Sequence, residues 1–373
     1  MANPVTDFIK SLLKSAEQSV LGIDIGSSSI KVVQLKKKKG RAVLETYGEI
    51  ALGTYGGVES GRSTNLGVDK VAQAIQDLLR ESNTTTTACA LSIPISSALI
   101  SFIRMPRVEE KQLEEMVPIE ARKYIPVPIS EVSLDWRVIP KNDNIVSEFE
   151  NSTATPTATD TEVLLVAIHN DALNKNRDIT SLAAIKTAYS EIEIFSAMRA
   201  VLEQGTAPQM IIDMGAGSTK IFIIERGLLR ASHIINRGSQ DITLAISKSL
   251  SISVAEAEKM KRQYGLLGKV GETNLADITS LSLDYIFAEM GRVVLNYQKK
   301  SGKSLSRIYL TGGGVLLRGF KERAESSFQT PVVMSNPFAK VEYPAFLTQV
   351  LEEAGPTFTV AIGLALKRLQ DVA

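Results

Sequence analysis

Two short segments of this sequence carry the same four residue types at the same spacing, D-x-G-x-x-S-x-K. The matching residues are Asp24, Gly26, Ser29 and Lys31 in the first segment, and Asp213, Gly215, Ser218 and Lys220 in the second. Apolar residues flank both segments, so each is predicted to form a strand, a turn of small residues and a second strand. A capped turn would explain one copy, but two copies 189 residues apart indicate a shared chemical task.

The residue types in these turns suit the binding of a polyphosphate. Glycine and serine let consecutive backbone N–H groups face one anion, and serine hydroxyls add neutral donors. Lysine adds a compact positive charge. The aspartates would repel phosphate, so they imply a bridging cation, and Mg²⁺ accepts one or two carboxylates together with phosphate oxygens and water. The predicted phosphate-binding residues are Gly26, Ser27, Ser28, Ser29 and Lys31 in the first turn, and Gly215, Ala216, Gly217, Ser218 and Lys220 in the second.

Two further segments suit a nucleoside. In YLTGGGVLL, a predicted strand ends at Gly312, Gly313 and Gly314, whose missing side chains let a ribose or purine approach the backbone. In AEAEKMKRQYG, Glu258 and Lys261 lie three residues apart on one face of a predicted helix. This pair is interpreted either as a surface ion pair or as a ribose acceptor beside a base contact.

The composition limits the class of protein. The chain has 373 residues, is 44% hydrophobic and 22% charged, and carries a net charge of +1. These values give no indication of a nucleic-acid-binding surface, and the length favours two domains or one bilobed unit. A single cysteine, Cys89, excludes an intrachain disulfide and a thiolate metal cluster. No apolar run approaches the ~20 residues of a membrane helix, and the start lacks a secretory signal, so a cytoplasmic protein is expected.

Helices and strands are expected to alternate around these segments. The first half is predicted to contain a leader helix over 5–19, β-structure over 21–52, a helix over 66–82, a strand pair within 88–106, a helix within 108–126, a strand over 131–140, a polar loop over 142–162, a strand over 163–170 and helical stretches to about residue 205. The second half is predicted to contain a strand–turn–strand unit over 210–224, helices over 251–265 and 277–299, a strand entering the triple glycine within 307–320 and a terminal helix over 356–373. The leader helix is expected to pack on the body, fray, or lie on a membrane surface or a partner. The basic turn KKKKGR is interpreted as a solvated tip or a contact with anionic lipid.

The four segments together resemble the motifs of the actin-like ATPase superfamily, in the order of that superfamily. IDIGSSSIK resembles its first phosphate motif, IDMGAGSTK its second and YLTGGGVLLRGF its adenosine motif. Within the superfamily, SVLGIDIGSSSIKVVQL and the passage over 101–139 resemble the PilM family of type IV pilus assembly. The resemblance implies a bilobed α/β actin-like fold, built from duplicated ribonuclease-H-like domains, with the extra subdomain of FtsA and PilM in the first lobe. The polar insertion over 142–162 and the segment over 173–192 depart from the family pattern.

The resemblance also implies the domain boundaries. They are a leader helix over 1–20, a first lobe over 21–205 with the extra subdomain over about 88–170, a second lobe over 206–355, and a terminal helix over 356–373 that packs back on the first lobe.

Roles for individual residues follow from the same resemblance. Asp24 would organise Mg²⁺, Lys31 would meet the β- and γ-phosphates of ATP, and Asp213 would hold metal-bound or attacking water. Glu193 would lie where the lobes join and position water, although a surface carboxylate on a helix is the alternative. The residues implied around the adenosine are Glu258, Lys261, Gly312, Gly313 and Gly314.

The function implied is an ATP-binding scaffold, at most a slow ATPase, whose nucleotide state sets partner affinity. The implied partners are the N-terminal cytoplasmic tail of PilN, which would bind between the extra subdomain and its neighbour, and the pilus motor ATPases and inner-membrane platform. The protein would then lie at the inner face of the cell membrane, attached only through partners.

Two alternatives stay open. An FtsA-like division filament protein should carry a C-terminal amphipathic membrane helix after a linker, whereas LALKRLQDVA is typical of a packed helix. A small-molecule kinase of the same superfamily needs a catalytic aspartate base and a substrate pocket, whereas the segment over 88–140 is typical of an interaction subdomain.

Overall fold

The computed structural model describes residues 19–59, 61–139, 160–203, 205–270 and 273–371. The leader helix predicted over 5–19 lies outside these residues, except that Ser19 begins a strand and not a helix turn. Most of the polar loop predicted over 142–162 also lies outside them. Its last three residues were predicted wrongly, because a strand that pairs on both sides already begins at Asp160.

A five-stranded sheet forms the core of the first lobe, in the order β3-β2-β1-β4-β8. Its strands are β1 (Ser19–Ile25), β2 (Ser29–Lys38), β3 (Arg41–Ala51), β4 (Ala88–Ile93) and β8 (Lys186–Ile192). Helices α1 (Val68–Glu81) and α3 (Asn170–Leu182) cover one face, where Ile75 and Ile179 pack against Leu21 and Ile23. β1 is apolar on both faces because helices cover both sides of it.

The opposite face of this sheet carries α4 (Glu193–Val201) and the C-terminal α10 (Thr359–Asp371). A Cβ atom on Gly22 would lie 2.0 Å from the carbonyl oxygen of Ala361, so only glycine allows α10 to approach β1 this closely. A Cβ atom on Gly363 would likewise lie 2.0 Å from the carbonyl oxygen of Ser196. Helix α10 is therefore fixed against both β1 and α4.

A second five-stranded sheet has the order β11-β10-β9-β14-β15. Its strands are β9 (Gln209–Met214), β10 (Thr219–Glu225), β11 (Leu228–Ile235), β14 (Arg307–Thr311) and β15 (Val332–Met334). One face packs against α5 (Ser239–Leu250), α6 (Val254–Tyr264), α7 (Leu275–Ser301) and α8 (Phe320–Phe328). A two-stranded ribbon, β12 (Lys269–Val270) and β13 (Thr273–Asn274), precedes α7, and α9 (Thr348–Ala354) precedes α10.

The two sheets repeat one design. In each, a strand pairs antiparallel with the next strand along the chain and parallel with a strand from later in the chain. Asp24 lies opposite Lys31 in the first hairpin, as Asp213 lies opposite Lys220 in the second. The repeat of sequence is therefore a repeat of structure.

A three-stranded antiparallel sheet, β5-β7-β6, is inserted between β4 and β8. Its elements are β5 (Ala98–Pro106), α2 (Glu110–Ala121), β6 (Val132–Val138) and β7 (Asp160–His169). One face packs on α2, and residues of the other face, such as Val166, belong to the same buried cluster as Phe222 and Ile224 of the second sheet. The inserted sheet therefore contacts both lobes.

Two sequence-based expectations are corrected here, and one strand was missed. The strands within 88–106 do not pair with each other, because β4 pairs with β1 and β8 while β5 pairs with β7. The helical stretch to residue 205 is interrupted by β8, since α3 ends before Ala184, which has a φ of +55°. The edge strand β11 was not predicted at all. Among the described residues, no helix is long and apolar enough to cross a membrane, and the boundaries predicted for the domains stay predictions.

Candidate functional site

The two D-x-G turns face each other across a central chamber. In each turn the glycine N–H donates to the serine carbonyl oxygen, from Gly26 to Ser29 at 3.1 Å and from Gly215 to Ser218 at 2.9 Å. This shared bond closes both turns in the same shape. The predicted site residues that line the chamber are Asp24, Gly26, Ser27, Ser28, Lys31, Glu193, Asp213, Gly215, Ala216, Ser218, Lys220, Gly312 and Gly313.

The two lysines of the chamber have different surroundings. Lys31 lies 3.7 Å from Glu49, whose side chain is 42% exposed. Lys220 lies 2.6 Å from Glu193 and 3.4 Å from Asp213, and both of those carboxylates are largely buried. Burial alone would lower the pKa of Lys220, but the charges of Glu193 and Asp213 outweigh it and raise that pKa. Lys220 therefore stays charged, and two acids share its ammonium group.

Glu193 is buried at the first turn of α4, so the expectation of an exposed helix carboxylate is wrong. Its Oε1 accepts the backbone N–H of Ile95 at 2.8 Å, and its Oε2 accepts from Lys220 Nζ at 2.6 Å. Burial raises the pKa of Glu193, while the charge of Lys220 opposes this rise. Both carboxylate oxygens thus have protein donors.

A pocket of about 440 Å³ opens beside the chamber, and we call it the adenosine-side pocket. Glu258 and Lys261 line it and bond to each other at 2.7 Å. Thr243 donates to Glu258 at 2.7 Å and Arg262 donates to it at 2.7 Å. Burial would raise the pKa of Glu258, but these three partners lower it overall. The other predicted site residues around this pocket are Ser28, Ser29, Lys31, Gly215, Ala216, Gly313 and Gly314.

The triple glycine packs against the second D-x-G turn. Gly312 has a φ of +85°, and a Cβ atom there would lie 2.4 Å from Asp213 Oδ1. A Cβ atom on Gly314 would lie 2.5 Å from the side chain of Met214. Gly312 and Gly314 are therefore required by the close approach of the neighbouring strand and turn. Gly313 and Gly314 belong to a short 3-10 turn over Gly313–Leu316, and the next helix begins at Phe320.

Sequence reasoning missed a segment of the first lobe that crosses to the second. Ser63 donates its backbone N–H to Gln240 Oε1 at 3.0 Å, and Ala255 donates to Glu59 at 3.3 Å. Gly61 lies beside Glu258, where an added Cβ atom would be 3.0 Å from the carboxyl carbon. Only a run of small and polar residues in this segment hinted at a loop. Gly217, predicted to bind phosphate, lies under this crossing, with an added Cβ atom 3.0 Å from Ser63.

A second cavity, of about 590 Å³, adjoins the chamber from the opposite side, and we call it the hinge cleft. It shares Gly26, Ser27, Glu193, Ser218 and Lys220 with the chamber. The remaining walls come from the ends of β1, β4 and β7, the segments just after β3 and just before α1, the turn before β5, and helices α1 and α3. The lining residues from these walls include Val71, Ser92, Pro94, Ser96, Ser97, His169, Asp171, Ala172, Lys175, Asn176 and Ile179.

The chamber suits Mg²⁺ only as part of a phosphate complex. Within the part of the chain that the structure describes, no group of three or more acidic, histidine or cysteine side chains could hold a metal ion. Mg²⁺ commonly keeps several waters and takes one or two carboxylates plus phosphate oxygens. Asp24 and Asp213, which line the chamber from opposite turns, fit that smaller demand.

Comparison with known proteins agrees with this architecture. The family model described as type IV pilus assembly protein PilM matches residues 22–369. Cell division protein FtsA of Neisseria meningitidis serogroup B is 26% identical over 343 residues, which cover 83% of this chain and 80% of that protein.

Solved structures are similar as well. The structure titled PilM-PilN type IV pilus biogenesis complex aligns with a TM-score of 0.77 and 24% identity, covering 94% of this chain and 98% of that chain. The ethanolamine utilization protein EutJ from Carboxydothermus hydrogenoformans aligns with a TM-score of 0.52 and 15% identity, covering 94% of this chain and 89% of that one. The bilobed α/β fold expected from the sequence is thereby confirmed.

Proposed function

Because the chain belongs to the family of type IV pilus assembly protein PilM, we propose that it is an ATP-binding scaffold that receives the cytoplasmic tail of a PilN-type partner. One observation carries the nucleotide part of this proposal. Two Asp–Lys hairpins, one from each lobe, line one chamber that opens into the adenosine-side pocket. A nucleoside polyphosphate fits these two adjoining cavities, with the polyphosphate in the chamber and the nucleoside in the adenosine-side pocket.

The residues of the chamber have separate tasks in this proposal. Lys31 and Lys220 meet the β- and γ-phosphates, and the backbone N–H groups of the two turns face the phosphate oxygens. Asp24 and Asp213 hold Mg²⁺ through its waters or directly. The bound Mg²⁺ supplies charge neutralisation for the triphosphate. Each lobe thus provides half of the contacts, so that ATP favours the closed arrangement of the lobes.

The adenosine-side pocket would hold the nucleoside. Glu258, which is held ionised by its three partners, accepts hydrogen bonds from ribose hydroxyls. Lys261 lies next to it and flanks the base, and Gly313 and Gly314 leave room for the ring against the backbone. The crossing segment near Gly61 covers Glu258 from the first lobe.

Hydrolysis in this site is slow at most. A general base needs an oxygen within hydrogen-bond reach of the attacking water. Glu193 accepts from Lys220 Nζ and from the backbone N–H of Ile95, so we assign it the role of a partner of Lys220 and not of that base. Asp213 remains the acid that would hold the water, and it already shares Lys220. Binding of ATP, and not turnover, is then the functional event.

The hinge cleft is the proposed site for the partner's tail. It lies where the inserted sheet joins the first lobe, and its volume of about 590 Å³ suits a few residues of an extended peptide. Val71 and Ile179 supply an apolar floor, while Ser96, Ser97 and Asn176 offer hydrogen bonds to a peptide backbone. The solved structure that names PilN contains a similar chain, which supports this class of partner.

Binding at the hinge cleft would bring the protein to the inner face of the cell membrane. The partner carries the membrane attachment in this proposal, and the chain itself stays cytoplasmic. The pilus motor ATPases and the inner-membrane platform would then contact the remaining surfaces.

A peptide titration tests the partner site. The tryptophan variant Ala172→Trp fills the hinge cleft from α3, and we expect it to weaken binding of a synthetic PilN tail peptide by about tenfold or more. Asn174→Trp places the same ring on α3 at a residue that does not line the cleft, so it should bind like wild type. Equal peptide affinities of the two variants would show that the peptide binds at another surface.

A kinase is the second candidate, since the hinge cleft adjoins the chamber at Lys220 and Ser218. An acceptor hydroxyl in the cleft would lie next to the terminal phosphate. Incubation with MgATP and a panel of sugars and polyols, followed by mass spectrometry, distinguishes the two functions. A phosphorylated product formed catalytically would replace the scaffold with a kinase.

A further inference from the structure

Glu193 stands between the two cavities and lines both of them. On the chamber side its Oε2 accepts from Lys220 Nζ at 2.6 Å. On the cleft side its Oε1 accepts the backbone N–H of Ile95 at 2.8 Å. One buried carboxylate therefore connects a predicted phosphate-binding lysine with the wall of the proposed partner site.

Ile95 lies in the short connection between the first sheet and the inserted sheet. It begins the 3-10 turn over Ile95–Ser97 that joins β4 of the first sheet to β5 of the inserted sheet. Pro94, Ser96 and Ser97 of this connection line the hinge cleft. Pro94 has no N–H to donate, so the bond from Ile95 to Glu193 anchors this connection to α4.

The side chain of Ile95 lies in the buried cluster that joins three parts of the molecule. That cluster includes Val166 of the inserted sheet, Ile194 of α4 and Phe222 of the second sheet. A change in the anchor of Ile95 therefore affects the packing that orients the inserted sheet.

Glu193 and a bound phosphate would compete for Lys220. Its ammonium group has three donors, and in this structure it lies near two carboxylates, Glu193 and Asp213. An arriving triphosphate brings several negative oxygens to the same place. Each bond that Lys220 forms with phosphate weakens its hold on Glu193.

We propose that Glu193 is the residue that couples ATP occupancy to the partner site. ATP draws Lys220 toward its phosphates, Glu193 loses its ionic partner and readjusts in its buried site, and the anchored connection at Ile95 loosens. Ordering the cleft wall around a bound peptide then costs more free energy, so that ATP lowers the affinity for the peptide. This coupling rests on the proposed function, because it needs both an ATP site and a peptide site.

The direction of one variant separates this coupling from a purely structural role. Glu193→Gln keeps an oxygen that accepts the N–H of Ile95 and removes the charge that holds Lys220. If Glu193 competes with phosphate for Lys220, the variant frees the lysine and ATP binds more tightly. If Glu193 only orients Lys220 toward phosphate, ATP binds more weakly in the variant.

The test is a pair of calorimetric titrations on the full chain. The probes are a non-hydrolysable ATP analogue with Mg²⁺ and a synthetic peptide of the PilN tail. For wild type we expect the peptide's affinity to fall by about fivefold or more when the analogue is present. For Glu193→Gln we expect tighter analogue binding and a peptide affinity that no longer depends on the analogue.

Glu191→Gln is the matched control. Glu191 lies two residues away, bonds to Arg199 at 2.8 Å and to Ser196 at 2.5 Å, and lines neither cavity. Its variant should keep the wild-type dependence of peptide affinity on the analogue. Loss of that dependence in Glu191→Gln as well would overturn the specific role of Glu193.

The other outcomes separate the coupling through Glu193 from the scaffold function on which it rests. If wild type binds analogue and peptide independently of each other, the coupling is wrong and the scaffold function stands. If wild type binds neither probe, both are wrong. Hydrogen exchange on wild type adds a measurement that needs no variant, since the amide of Ile95 should exchange faster with the analogue bound. Unchanged protection at Ile95 would overturn the coupling.

Discussion

Lys220 Nζ lies 2.6 Å from Glu193 Oε2, where Glu193 is buried and Lys220 is partly buried. The corresponding lysine of the first lobe, Lys31, lies 3.7 Å from the more exposed Glu49. The two copies of the motif therefore pair in the same register, but their lysines have different charged neighbours. The same substitution should have different effects in the two lobes.

Lys31→Ala and Lys220→Met should both weaken MgATP binding, but only the second should destabilise the fold. Each loses a charged bond to phosphate, which lowers affinity by about tenfold or more. Lys220→Met also leaves Glu193 buried without its ionic partner, and breaking such a pair costs about 3–5 kcal/mol. Calorimetry measures the affinities, and urea denaturation measures the free energy of unfolding.

The double variant Lys220→Met with Glu193→Gln isolates the orphaned charge. Because the amide replaces the unpaired carboxylate, the double variant should recover much of the stability that Lys220→Met loses. If the single and the double variant unfold at the same urea concentration, the unpaired Glu193 carboxylate does not measurably destabilise the fold.

Removal of Mg²⁺ should change ATP affinity through the two aspartates. In the proposed site Asp24 and Asp213 repel the triphosphate unless a cation intervenes. For wild type, EDTA should therefore weaken ATP binding strongly. For Asp24→Asn with Asp213→Asn, binding with Mg²⁺ should fall while binding in EDTA stays equal or improves, as measured by titration of a fluorescent ATP analogue. If the double variant responds to EDTA as wild type does, neither aspartate contributes to the metal site.

The features that could be predicted from the sequence are local ones. Asp24 and Lys31 lie seven residues apart in one hairpin, so their register follows from a turn of small residues between two apolar runs. The same reasoning placed Asp213 and Lys220 together. The convergence of the two hairpins on one chamber rested on their repetition and on the family resemblance.

The features that could not be predicted depend on distant partners. Strand β8 pairs with β4, almost a hundred residues earlier, and its residues KTAYSEI give only a weak strand signal of their own. Glu193 is held by hydrogen bonds from Lys220 and Ile95, which approach it from the second lobe and from the connection between β4 and β5. The hydrophobic pattern of the sequence around Glu193 predicts neither contact.

Stability should depend on pH through Glu258. The pKa of this carboxyl lies below its ordinary value of 4.5, so the charged form favours the folded state. Its contribution is fully present above pH 4.5 and disappears as the pH falls through the lowered pKa. Lys261, buried beside it, then lies without a charged partner. Urea midpoints of wild type and Glu258→Gln should differ above pH 4.5 and converge below it, and a constant difference would assign the effect to packing.

Gly312→Ala should damage the chamber more than an ordinary glycine substitution at positive φ. Gly312 has a φ of +85°, and its added Cβ atom would lie 2.4 Å from Asp213 Oδ1 and 2.6 Å from the carbonyl oxygen of Met214. Gly302 has a similar φ of +67° at the end of α7, with no atom within 4 Å of an added Cβ. Both variants incur backbone strain of about 1–3 kcal/mol, measurable by urea denaturation. Only Gly312→Ala should in addition displace Asp213 and weaken MgATP binding. Equal ATP affinities in the two variants would show that Asp213 tolerates the displacement or does not contact the nucleotide complex.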